Sequence, residues 1–399
     1  MTSRERVLAA IRHQKPDRVP IDFGGMRSTG IMAVAYNKLK QFLGISEGET
    51  RVFDTMQQLA EIEKPILDRF HIDVVYAENT FGRHPNKWKP WTLPDGSDAY
   101  IPLGFNPEPD GEGGYVVRDA EGRVLSRAPK GCLYFEPVYQ PLAHMTSIAE
   151  LDDWQPDQLS DEYLEDLRER AKWIYENTDY AVLMGFGGNI LEGGQFLRGW
   201  GQFMIDMAAD PEFTHAMLDK LTDSHIANLM RFLDYLGPYI QIVQMGDDLG
   251  TQSAAQLSLE MYREFIGPRH KRIYQYAREH SDVHVFLHSC GSIYDFIPDI
   301  IDEGVEILNP VQTSAARMNP ATLKREFGDK LTFWGGGCDT QTVLPSATPE
   351  EVRRHVRERI EIFKPGGGYI FNQVHNVQSN VPPANVAAML DAAWEFGSY

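Results

Sequence analysis

The sequence predicts an α/β protein, a (β/α)8 TIM barrel, from three observations: eight apolar β-prone runs, amphipathic helical stretches between them, and polar residues gathered where the runs end. The runs are VPIDF (19–23), IDVVYA (72–77), YAVLMGF (180–186), YIQIVQMG (239–246), VHVFLHSC (283–290), VEILNP (305–310), LTFWGG (331–336) and YIFNQV (369–374). Strand followed by helix is the pattern of a parallel sheet, and eight such units close into a barrel rather than leaving it open. No internal repeat, low-complexity tract or linker divides the chain, so residues 1–399 read as a single domain.

The helices carry their own punctuation. Thr348 is placed as an N-cap, Pro349 at the first helical position and Glu350 and Glu351 in the first turn, and the helix stops at Pro365 and the glycines that follow. Asp210-Pro211 opens a helix to about residue 235, and Ser258 opens one over residues 259–280. One stretch breaks the rhythm. Residues 83–140, between the second and third runs, hold turn clusters (LPDGSD, PEPDGEGGY, DAEGR) around short β-prone pieces such as YVVRD and RVLSRA. They predict hairpins projecting from the C-terminal mouth, where barrel active sites lie, and so a lid. Its Trp88, Trp91, Tyr100, Phe105 and Tyr115 suit a planar aromatic ligand, although aromatic residues in hairpins commonly serve packing.

Composition excludes some partners. With 57 acidic against 38 basic residues and a formal charge of −19, the chain lacks the basic footprint that nucleic acid requires. No apolar run is long enough for a membrane helix, and the opening MTSRERVLAAIRHQK is charged and amphipathic, unlike a cleavable signal. Three cysteines cannot make a disulfide scaffold, so a reducing, cytoplasmic setting is expected.

The chemistry concentrates in HVFLHSCGSI, residues 284–293, where a strand delivers His288 and Cys290 two residues apart. Alternate side chains of an extended chain share a face, so an imidazole and a thiolate converge as they would on zinc. The barrel brings further strand-end residues to the same rim: Asp22, Glu78, Asp247, Asp248, Asn309, Gln312, Cys338, Asp339, Asn372, Gln373 and His375. Cys338 follows three glycines, 335–337, and is either a ligand or a small apolar filler. His375 is either a ligand or a backbone hydrogen-bond partner.

Taken together, these segments resemble the uroporphyrinogen decarboxylase superfamily, and within it the cobalamin-dependent methyltransferase branch. The resemblance rests on RERVLAAIRHQKPDRVPIDFGG, MGDDLGTQ (245–252), HSCGSI (288–293), ILNPVQ (307–312), FWGGGCDTQ (333–341) and GGYIF followed by HNVQSNVPPANVAAML (375–390). It implies a barrel whose mouth binds zinc and exchanges a methyl group with the corrinoid of a partner protein. His288 and Cys290 match the family's His-x-Cys zinc motif. His375 stands where the branch has a further cysteine ligand, Cys338 is a second candidate, and Glu78 or Asp248 would complete the shell. Asp247, Asp248 and Asp22 are candidates for protonating the leaving group or anchoring substrate, with Arg27, Glu78, Gln312 and Asn372 in substrate binding. The expected donor is a small methylated molecule, by preference an aromatic methyl ether over methylamine, methanol or a thiol, and a homodimer is admissible. Uroporphyrinogen decarboxylation is the runner-up, weakened because DFGGMRSTG keeps Arg27 without a second arginine four residues on. A non-catalytic corrinoid- or metal-binding accessory is the remaining alternative.

Overall fold

Seven short parallel strands lie side by side in chain order, Val74–Tyr76, Ala181–Gly187, Ile242–Gly246, His284–His288, Ile307–Asn309, Thr332–Trp334 and Tyr369–Ile370. The structure is a computed structural model and describes residues 1–132 and 134–399. The run at 19–23 forms no ladder strand. It makes a single bridge, Ile21 to Phe371, yet its backbone closes the barrel. Asp22 N–H donates to Phe371 O (2.8 Å), Phe371 N–H to Pro20 O (2.9 Å), and Asp73 N–H to Ile21 O (2.8 Å) on the other flank. Beneath this seam Asp73, fully buried, accepts from Arg6 Nη1 (2.7 Å), Arg18 Nη1 (2.6 Å) and the Ile21 amide (2.8 Å).

The strands are shorter than the apolar runs because the run ends peel away to build loops. Beyond Ile370, Asn372 O accepts the Gly337 amide (3.0 Å) and Cys338 O the Val374 amide (2.9 Å), so pairing continues loop to loop. Helix Pro349–Phe363 begins with the expected cap, Thr348 and Glu351 bonding reciprocally. Helix Pro211–Leu236 is opened by the Asp210 side chain. The expected helix at 259–280 is instead Leu259–Met261, a π-turn Tyr262–Ile266 and Gly267–His280. Pro268 has no N–H to continue the α ladder, which accounts for the widened turn.

Residues 83–140 hold a hairpin, Trp88–Thr92 with Asp98–Pro102, and a four-stranded antiparallel sheet from Glu108–Pro109 to Glu136–Pro137. Tyr134 fastens this region to the last loop of the barrel, donating to Asn376 Oδ1 (3.2 Å) and accepting from Gln378 Nε2 (2.6 Å). A further ribbon, Val52–Asp54 with Leu59–Ala60, has no counterpart in the expected elements. Among the described residues no helix is long and apolar enough to cross a membrane.

Candidate metal centre at the barrel mouth

Side by side in the sheet, Ile242–Gly246 and His284–His288 end level with each other, with Gly246 opposite His288. The loops that leave them cross backbone to backbone. A Cβ on Gly291, whose φ is +85°, would lie 2.4 Å from the Gly250 carbonyl carbon, and one on Gly250 would lie 2.6 Å from the Ser292 nitrogen. Only glycine permits that approach. The crossing sets Asp248 against the His-x-Cys turn, and Asp248 Oδ1 accepts the Cys290 amide at 2.7 Å.

The result is a cluster in which one ligand atom from each of Asp248, His288 and Cys290 lies within 4.8 Å of the others. Cys290 Sγ is 3.4 Å from His288 Nε2, and that nitrogen is 3.7 Å from Asp248 Oδ1. His288 Nδ1 turns away and lies 2.6 Å from Asn309 Oδ1. Burial, with Asp248 and Glu192 alongside, pushes the Cys290 thiol well above its ordinary value. A carboxylate, an imidazole and a thiol within reach of one another, with a second carboxylate alongside, are a donor set that fits a divalent cation, which would stabilise the thiolate. Beside the cluster, Glu192 Oε2 accepts from the Asp248 amide (3.1 Å) and from Asn189 Nδ2 (2.7 Å), and burial near Asp247 and Asp248 pushes its carboxyl up to about 8.

The cluster opens into a cavity of about 470 Å3 at the C-terminal mouth. His375 is on its wall, where burial and the neighbouring His288 push the imidazole down to about 4 and keep it neutral. It faces the cavity next to the three-residue cluster without being part of it. Glu78 lies on the wall as well, accepting from the Tyr163 hydroxyl (3.4 Å), its carboxyl pushed up by burial. Arg27 reaches the same cavity with its side chain 63% exposed and its Nε 2.6 Å from Asp54.

Other residues of the expected rim serve the scaffold. Asp247 is fully buried and accepts the amides of Ile190 (3.0 Å), Leu191 (2.7 Å) and Glu192 (2.8 Å), with His270 Nε2 at 2.8 Å, so it holds the start of helix Leu191–Arg198. Asp22 accepts from the Gly25 amide and Trp334 Nε1, both at 2.8 Å, and burial pushes its carboxyl up to about 7. Gln312 spends its amide on the site loops, accepting from Gly291 N (2.8 Å) and donating to Gln252 (2.6 Å). Asn372 is wholly buried and donates to Gln373 O. Cys338 is not brought to the Asp248, His288 and Cys290 cluster. It is packed in the hydrophobic core with Sγ 3.8 Å from Asp339 O, its thiol pushed up by burial, as a small hydrophobe.

A family model for uroporphyrinogen decarboxylase (URO-D) matches residues 137–396. The chain belongs to that family. Among its curated relatives, uroporphyrinogen decarboxylase of Pseudoalteromonas translucida (strain TAC 125) is 28% identical over 228 residues, 54% of this chain and 59% of the relative. The protein of the same name from Pseudoalteromonas atlantica (strain T6c / ATCC BAA-1087) is 26% identical over 284 residues, 67% of this chain and 74% of the relative. The match to the first thus spans less than two thirds of that protein's length. A methyltransferase from Methanosarcina mazei has the same fold, with a TM-score of 0.62 at 17% identity, covering 99% of both chains.

Within this URO-D barrel the aromatic cavity wall comes from residues that the hairpins do not supply. Tyr76, Tyr163, Phe186 and Phe196 line it. The hairpin aromatics pack on one another instead, Trp91 against Tyr115 (5.7 Å between centroids) and Phe105 against Phe135 (5.3 Å). Glu192 and Asn189 escape a reading confined to strand ends, because they follow the strand Ala181–Gly187 on the turn into the next helix. The signal available was GGNILEGG, a glycine-flanked acid opening a helix at the mouth.

Proposed function

We propose that this URO-D family member is a methyltransferase that moves a methyl group from a small methylated molecule, by preference an aromatic methyl ether, to the cobalt(I) corrinoid of a partner protein. The observation that carries the reading is the Asp248, His288 and Cys290 cluster opening into the mouth cavity. Those three side chains would hold zinc, with neutral His375 next to them. When bound, the ion supplies Lewis acidity toward the oxygen or other heteroatom that carries the methyl group. Tyr76, Tyr163, Phe186 and Phe196 would sandwich an aromatic ring, and Gln57 and Gln244 would bond its polar substituents. Exposed Phe196 on the cavity wall would offer an apolar landing for the corrinoid.

The relatives' name favours a second reading, decarboxylation of a tetrapyrrole polycarboxylate. The cavity wall argues against it, since among the described residues Arg27 is its one arginine and already pairs with Asp54, while Asp248 would repel carboxylates. The deciding experiment incubates the zinc-loaded chain with a reduced corrinoid protein and a panel of methyl donors, following the corrinoid spectrum. Methylation from aryl methyl ethers, lost in Cys290→Ser, is expected. Zinc uptake without methylation from any donor would leave the accessory role, and carbon dioxide released from uroporphyrinogen would establish the decarboxylase.

A further inference from the structure

We propose that Asn309 is a positioning residue that locks His288 in the Nδ1–H tautomer, leaving Nε2 as its only ligand atom. The inference rests on the metal reading of the site and goes to the residue behind it. Asn309 ends the strand Ile307–Asn309, pairs in register with His288 and is fully buried. Its amide has no freedom of orientation. Nδ2 donates to Trp334 O at 2.7 Å, and because a carbonyl only accepts, the other end of the amide must be the oxygen.

That oxygen meets His288 Nδ1 at 2.6 Å and also accepts from Ser28 Oγ at 3.2 Å. Both of its lone pairs are therefore occupied by donors. An acceptor at hydrogen-bond distance requires a proton on Nδ1, and the lone pair of a neutral ring must then sit on Nε2, facing Cys290 Sγ and Asp248 Oδ1. An amide is also neutral. With Asp248 and Cys290 ionised, the ligand set carries two negative charges against a divalent ion, and a neutral partner behind the histidine adds none. A carboxylate at 309 would push electron density into the imidazole and face the Trp334 carbonyl with the wrong polarity.

The test measures Zn2+ affinity by competition with a chromophoric chelator, together with thermal unfolding of each variant. Asn309→Leu, with the same branching but without an acceptor, is expected to bind zinc about 10–100-fold more weakly, the usual cost of losing an outer partner. Asn309→Asp keeps an acceptor for Nδ1–H and is expected to recover all but a few-fold of that loss, whereas a merely structural role would penalise both variants alike. Asn309→Leu binding zinc as tightly as wild type would overturn the proposal.

A second measurement needs no variant at position 309. Long-range 1H–15N correlation on metal-free, 15N-histidine-labelled wild type, assigned with His288→Gln, should show the proton on Nδ1, and a proton on Nε2 would overturn the inference. The two readings fail separately. Wild-type protein that takes up no zinc sinks the proposed function, while the tautomer is still read in the metal-free chain.

Discussion

To hold zinc as proposed, Cys290 would lose its proton beside Asp248 and Glu192, in a place where burial opposes ionisation. A divalent cation would resolve that conflict, and its removal should restore a neutral thiol. Cys290→Ser is expected to reduce bound zinc from about one ion per chain to a trace by elemental analysis, a larger loss than the ~10–100-fold of an outer partner. A chelator should lower the melting temperature of wild type and leave that of the variant unchanged. Asp22 gives a pH prediction of its own. Its folded carboxyl titrates near 7, above the ordinary value of 3.8, so the folded state holds a proton that the unfolded chain has released between those limits. Stability should therefore fall as pH rises from about 4 to 7, by up to ~1.4 kcal/mol per unit from this group. In urea titrations across that range Asp22→Asn should flatten the slope, and an unchanged slope would refute the assignment. The His-x-Cys pair was legible in the sequence because two-residue spacing on an extended chain is itself geometry. Asp247 and Asp248 were not separable, since neighbouring side chains point to opposite sides and only the helix start at Ile190 decides which one turns inward.

At the scale of elements, the site depends on two loops crossing at Gly250 and Gly291. Gly291→Ala would both strain a left-handed backbone and drive a methyl group into Gly250, parting Asp248 from Cys290. It should cost at least ~1–3 kcal/mol of stability and weaken zinc binding, read by denaturation and by chelator competition. Asp247→Ala leaves three helix-start amides and His270 without their acceptor, at a cost on the order of 3–5 kcal/mol in urea unfolding, and frees the segment that carries Glu192. Strand and helix alternation was plain in the sequence, since apolar runs and caps are local signals. Strand length was not, because residues such as Asn372 and Gln373 look strand-like but bond to loops. The ribbon Val52–Ala60 was missed because strands of two or three residues carry no period. The hairpins were visible from their turns, but their aromatic content says nothing about which side each ring takes.

For the molecule as a whole, closure of the barrel is the weak point of the design. The segment 19–23 makes two backbone hydrogen bonds with Phe371 on one flank and one with Asp73 on the other, and Asp73 with Arg6 and Arg18 pins it from below. Asp73→Ala would leave Arg18 without its carboxylate and Arg6 with Asp17 alone, and an unfolding free energy lower by about 3–5 kcal/mol is expected in urea denaturation. An unchanged midpoint would mean that the backbone hydrogen bonds alone secure the seam. The seam also joins parts of the chain that are far apart in synthesis: Ile21 bridges Phe371, Arg18 bridges Ser398, and the Val19 amide bonds Gly397 O. A nascent polypeptide can thus assemble most of its staves on the ribosome but must keep residues 18–22 unzipped until residues 371–398 emerge, a long-range closure of the slow kind. Until then an unpaired sheet border stays open to passing chains.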